Sequence, residues 1–195
     1  VGEYAEAVAT GAAKSALGNS GVILAQYLQG LAQGLSQIET TDQCSPSEWQ
    51  QSLEQAAVVA RESVLTPAEG TMLTIADAAA NVPAQSDFQK YYQAVQITVR
   101  AAVIETQNLL PELVAAEVVD SGALALSFFH DSFALTLGLN VSPLEVSARK
   151  LVATSYSGPM FELMFSVPNN STKSSSSPGS LSMESTNWAN LRKLP

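Results

Sequence analysis

A chain of 195 residues, 46% hydrophobic and only 14% charged, has the apolar content for one domain with its own core and too much of it to stay disordered. Eighteen acidic against nine basic residues leave a net charge of −9, which excludes nucleic acid and anionic membrane surfaces as natural partners. A lone cysteine, Cys44, and a lone histidine, His130, exclude an internal disulfide framework, a cysteine zinc site and a paired-imidazole metal site. No apolar run reaches membrane-spanning length and no secretory signal opens the sequence, so the expectation is a cytoplasmic protein without membrane insertion.

Residues 3 to 16 predict a helix, rich in alanine, with only Gly11 against it. Gly18, Asn19, Ser20 and Gly21 follow, set directly before a long apolar run. They read in two ways: as turn and capping residues, or as a backbone that offers several N–H groups to an anion at a helix start. The four residues alone leave both readings open. After Gly21 a helix is predicted with Leu24, Leu28, Leu31, Leu35 and Ile38 on one stripe. Gly30 and Gly34, one turn apart on another face, either admit a close neighbour or weaken that helix.

Ser45, Pro46 and Glu48 match N-cap, first-turn proline and capping-box carboxylate, and Trp49, Leu53, Ala56, Ala60 and Val64 form the buried stripe behind them. Thr66, Pro67 and Glu69 repeat that grammar and predict a further helix start. Ser86 is expected to cap a longer helix with Tyr91, Val95, Thr98, Ala102, Thr106 and Leu109 aligned, which Pro111 closes or restarts. The next starts at Asp120, turns Leu126, Phe129, Phe133 and Leu137 inward and stops at Gly138. His130, inside it, reads as a packed ring.

Amphipathic helices joined by short loops predict an all-α antiparallel bundle or barrel over residues 1–150. Residues 151–195 read as a crossover, the first strand and a Ser-rich loop of an incomplete second domain. A helix is expected over 142–156. The alternation of Phe161, Leu163, Phe165 and Val167 with Glu162, Met164 and Ser166 predicts a strand. The tract at 168–182 reads as a loop and residues 186–194 as a short helix. Because one strand cannot bury its face alone, its partners are expected beyond Pro195. With Val1 in place of an initiator Met, the sequence is expected to be a piece of a longer protein.

Three apolar helices begin with glycine and small polar residues: "LGNSGVIL" at 17–24, "PAEGTMLT" at 67–74 and "VVDSGALAL" at 118–126. Each could be a cap and nothing more. If the helices alternate in direction, these starts can meet at one rim, where exposed N–H groups suit a polyanion.

In this order and spacing, over residues 5 to 140, the three segments resemble the nucleotide-binding domain of the dihydroxyacetone kinase L-subunit family, which is also the ATP-binding part of bacterial fatty acid kinase. The resemblance implies an eight-helix barrel that holds ATP or ADP at one end. By carry-over Gly18, Asn19, Ser20 and Gly21 would lie along the phosphates, Thr71 and Met72 beside the adenine, and Asp120, Ser121 and Gly122 on the loop that closes the site. Ala123 and Ala125 stand where the family prefers further glycines, and Leu17 where an arginine often stands. The family holds two Mg²⁺ ions on an acidic motif that would fall upstream of residue 1; Asp42, Asp77, Asp87 and Asp131 are scattered and offer no substitute. The expectation is therefore a phosphotransferase domain with no catalytic or metal-binding residue of its own, binding nucleotide weakly and catalysing nothing by itself.

Continuation beyond the helical part favours the fatty acid kinase type, in which the ATP γ-phosphate passes to an acyl carboxylate held by a partner protein. The alternatives are a dihydroxyacetone (glycerone) kinase subunit and a non-catalytic nucleotide-sensing or protein-docking module. A homodimer is left open.

Overall fold

The computed structural model describes residues 2–38, 43–146, 164–168 and 186–190. Among the described residues up to 146 there are seven helices: α1 Gly2–Ser15, α2 Gly18–Leu35, α3 Pro46–Glu62, α4 Met72–Ala80, α5 Phe88–Thr106, α6 Pro111–Ala116 and α7 Ser121–Thr136. The all-α class predicted from periodicity is what forms.

Local chemistry explains where these helices begin. At α3 the capping box is complete: Ser45 Oγ accepts from the Glu48 N–H at 3.3 Å, and Glu48 Oε2 accepts from the Ser45 N–H at 2.7 Å. At α5 the cap is Asp87, one residue after the expected Ser86, its carboxylate accepting from the Lys90 N–H at 2.8 Å. α4 differs more. Thr66, Pro67 and Glu69 do not start it; the cap is Thr71, whose hydroxyl oxygen accepts from the Leu73 N–H at 3.3 Å. Glu69, read as a capping-box carboxylate, is engaged by Arg61 and Thr74 instead. α2 begins at Gly18 rather than after Gly21, so the glycine segment forms its first turn.

Contacts at the glycines and polar pairs set the helix directions. The start of α1 meets the end of α2 at Gly2 and Ser36, which makes them antiparallel. Along α2, Gly30 faces Ala56 and Gly34 faces Ser52, so α3 also runs antiparallel to it. A Cβ on Gly30 would fall 2.6 Å from the Gln55 carbonyl oxygen, and one on Gly34 2.5 Å from Ser52 Cα. Both glycines therefore exist for close helix packing. α5 and α7 are antiparallel: Gln89 Nε2 donates to the Leu137 carbonyl, Gln96 Nε2 to Asp131, and the Asp120 N–H to Thr106 Oγ1. α2 and α7 run the same way, since Ser20 stands beside Gly122 and Tyr27 beside His130.

The core lies between these layers, around Tyr27, Leu53, Ile75, Tyr92, Val99 and Leu126. On α5 the inward residues include Tyr91, Tyr92, Val95, Val99, Val103 and Thr106; of those expected inward, Thr98 and Leu109 are exposed and Ala102 is only partly buried. His130 is packed as expected, wholly buried with Nδ1 2.9 Å from the Tyr92 hydroxyl and Nε2 3.2 Å from that of Tyr27. Burial alone lowers its pKa to about 4, so the ring is neutral. Arg100 pairs with Asp131 at 3.5 Å and donates to the Ser142 carbonyl at 2.6 Å, tying the segment after α7 to α5.

Two expectations for the last part of the chain are corrected. β1, Met164–Pro168, finds its partner within the sequence: it pairs antiparallel with β2, Thr186–Asn190, in the register Ser166 to Trp188. Residues 186–190 are thus strand, not helix. Of the helix expected over 142–156, residues 142–146 are irregular and the rest lie outside the described residues, as do Phe161, Leu163 and the Ser-rich tract.

Candidate functional site

Alternating direction brings the starts of α2, α4 and α7 to one rim. The meeting point is Gly122, in the first turn of α7. A Cβ placed there would stand 3.1 Å from Asp120 Oδ2, 3.4 Å from Ser20 Oγ and 3.6 Å from Met72 Cβ. One buried glycine therefore touches all three of the polar segments singled out in the sequence. Ser20, Met72, Asp120 and Gly122 are gathered directly. Gly18, Asn19, Gly21, Thr71 and Ser121 adjoin them along the chain.

The three starts are not alike. α7 is capped by Asp120, whose Oδ2 accepts from the Ala123 N–H at 2.6 Å, and α4 by Thr71. α2 has Leu17 at its N-cap position and no side-chain cap. Its first-turn N–H groups are thus the unpaired donors that every helix start presents, at the positive end of an 18-residue helix. Gly18, with φ of +68°, turns the chain into that helix in a conformation that a side chain would strain, and no atom outside its neighbours lies within 4 Å of its Cβ position. Asn19 and Ser20 are exposed. At Gly21 a Cβ would touch only Ala16, at 3.5 Å or more.

Met72, expected beside an adenine, is buried, and its side chain belongs to the core cluster. Thr71 is half-buried, its hydroxyl donating to the Ala68 carbonyl at 2.8 Å.

Sequence reading missed the residues that hold the α4 start in place. Glu69 Oε1 accepts from Arg61 Nη1 at 3.0 Å and Oε2 from the Thr74 hydroxyl at 2.7 Å, while Thr74 Oγ1 accepts from the Gly70 N–H at 2.9 Å. These bonds, the one from Thr74 first, hold the Glu69 carboxyl below its usual pKa. Arg61 also pairs with Asp77 of α4. The available signal was Gly70-Thr71 directly before the apolar Met72 and Leu73. Gly70, with φ of +82°, is the turn residue.

Among the described residues no group of three or more His, Cys, Asp or Glu is placed to hold a metal ion. These residues therefore do not fit a Mg²⁺ centre by themselves. No helix among the described residues is long and apolar enough to cross a membrane. Cys44 lies beyond the other end of α3, partly buried, its pKa raised to about 11 by burial and then by Glu48.

A family model described as the DAK2 domain matches residues 1–135. Protein YloV of Bacillus subtilis is 32% identical over 142 residues, 70% of this chain and 25% of that protein. An uncharacterized protein of Staphylococcus epidermidis, SERP0792, is 31% identical over 162 residues, covering 80% and 28% respectively. SAUSA300_1119 of Staphylococcus aureus, also uncharacterized, is 29% identical over 138 residues, covering 68% and 25%. The chain spans about a quarter of the length of these curated relatives.

Proposed function

This chain belongs to the DAK2 domain family, and from that premise we propose that its helical part is the nucleotide-binding module of an ATP-dependent kinase, with the phosphates of ATP or ADP seated at the rim where α2, α4 and α7 begin. The observation that carries the reading is the meeting of Ser20, Met72 and Asp120 around Gly122.

The residues do three things in this reading. The uncapped N–H groups of Gly18, Asn19 and Ser20 face negative charge with the dipole of α2 behind them. Glycine at 18 and 21 leaves the backbone open to close approach. Ser20 and Asn19 add side-chain donors, which hold the terminal phosphoryl group in position for transfer rather than attacking it. Thr71 is the residue nearest an adenine at this rim, with the buried Met72 behind it. Asp120 adds a negative charge beside the phosphates and serves as the cap of α7. No group here acts as general base in this scheme.

Mg²⁺, where it takes part, is assigned to carboxylates other than those described. The acceptor we favour is an acyl carboxylate presented by a separate carrier protein, as in a fatty acid kinase; dihydroxyacetone as acceptor would use the same nucleotide site.

Calorimetric titration with ADP tests the site. At Gly21 a Cβ meets only Ala16, at ordinary contact distance, so Gly21→Val should stay near the stability of the native chain while its ADP affinity falls at least tenfold. Unchanged affinity in that variant would remove the phosphates from α2.

A further inference from the structure

The loop from Thr66 to Thr71 leads into the start of α4 at the rim. Residues 66 to 69 are exposed, and Gly70 is its first buried residue. Two sets of contacts hold it. On one side Gly70 lies against the α5–α6 turn, where a Cβ would fall 2.8 Å from Leu109 Cβ and 3.3 Å from Leu110 Cγ. On the other side Glu69 is gripped twice, by Arg61 from the last turn of α3 and by the Thr74 hydroxyl from α4.

Thr74 is the pivot, because its single oxygen donates to Glu69 and accepts from the Gly70 N–H. Arg61 supplies the anchor. Its two terminal nitrogens are divided between Glu69 and Asp77, a forked arrangement that lysine cannot reproduce.

We propose that Glu69 and Thr74, anchored by Arg61, are positioning residues for the rim: they hold the loop in the one geometry that caps α4 at Thr71 and sets Met72 beside Gly122. An ion pair this exposed adds little to global stability. Its effect is local, fixing where α4 starts and so how its first N–H groups face the other two helix starts. The effect on nucleotide rests on the binding reading above; the effect on the loop does not.

The experiment uses the whole chain in two arms. Without nucleotide, amide hydrogen exchange is followed at Gly70, Thr71, Met72 and Leu73 in the native chain, Thr74→Ala, Thr74→Ser, Glu69→Gln and Arg61→Lys. Losing one such hydrogen bond should speed exchange there about fivefold in Thr74→Ala, Glu69→Gln and Arg61→Lys. Thr74→Ser keeps the hydroxyl and should restore the native rate, and the urea midpoint should barely move in Glu69→Gln, whose side chain is largely exposed. In the second arm, calorimetry with ADP should show affinity falling about fivefold in Thr74→Ala and returning in Thr74→Ser.

Native exchange rates in both Thr74→Ala and Glu69→Gln would overturn the clamp. Faster exchange with unchanged ADP affinity would overturn its role at the rim. A native chain that takes no ADP would instead sink the binding reading, and the exchange arm would still decide whether these residues hold the loop.

Discussion

Acidification is the perturbation to which the core of this protein should respond most directly, through His130. Its ring is wholly buried, with a tyrosine hydroxyl at each nitrogen. A neutral imidazole has one donor and one acceptor, so one tyrosine donates to it and the other accepts. A protonated ring has two donors and no solvent to spread its charge. In the unfolded chain the histidine takes up its proton near 6.5, in the folded chain only near 4. Between those values the unfolded state holds more protons, so stability is complete above pH 6.5 and is lost as pH falls toward 4. At ~1.4 kcal/mol per pH unit the loss is about 2 kcal/mol between pH 7.5 and 5, and about 3 kcal/mol once pH falls below 4. The carboxyls of Glu48 and Glu69, held below 4.5, contribute only at lower pH, so the upper window isolates the histidine. Urea unfolding at pH 7.5 and 5 measures it, with a midpoint shift of about 1 M for a typical m-value near 2 kcal/mol/M. His130→Gln keeps a donor and an acceptor but does not titrate, and should reduce the shift to a small fraction. Equal shifts in both proteins would refute the buried, neutral ring.

Four substitutions probe packing, capping and a buried ion pair. Gly34→Ala should destabilise by about 1–3 kcal/mol in urea unfolding despite alanine's better helix propensity, because the new methyl meets Ser52 backbone, whereas Gly11→Ala, with nothing within 4 Å, should stabilise by up to about 1 kcal/mol. Ser45→Ala removes the acceptor of the Glu48 N–H and should cost about 1 kcal/mol, seen as a lower urea midpoint with an unchanged slope. Arg100→Met leaves Asp131 buried without its cation and should lower stability by about 3 kcal/mol, seen as a lower urea midpoint.

Much of the helical layout was legible because each helix states its own start and its buried face. Ser45-Pro46-Glu48 and Asp120 do so in short-range hydrogen bonds that depend on nothing outside the segment. Where two local grammars competed, tertiary contact decided. Glu69 fits a capping box after Thr66, yet Arg61, in the last turn of α3, offers it an ion pair, and the start moves to Thr71. Gly30 and Gly34 were ambiguous because close approach is a property of two helices, and only α3 reveals it. Tyr27 lay outside the leucine stripe predicted for α2; its burial follows from a partner 103 residues away. Residues 186–190 read as helix by composition and form a strand because β1 supplies the pairing that no local propensity encodes. At the rim, sequence order named the segments, while Gly122 as their common contact emerges from alternating helix directions.

If the three helix starts form one anion-binding rim, ADP should reach all of them at once. Amide hydrogen exchange with and without saturating ADP tests it most directly: Asn19 to Val22, Thr71 to Leu73 and Ser121 to Ala123 should all gain protection together. Protection confined to one of these segments, or to none while ADP is bound elsewhere, would contradict it.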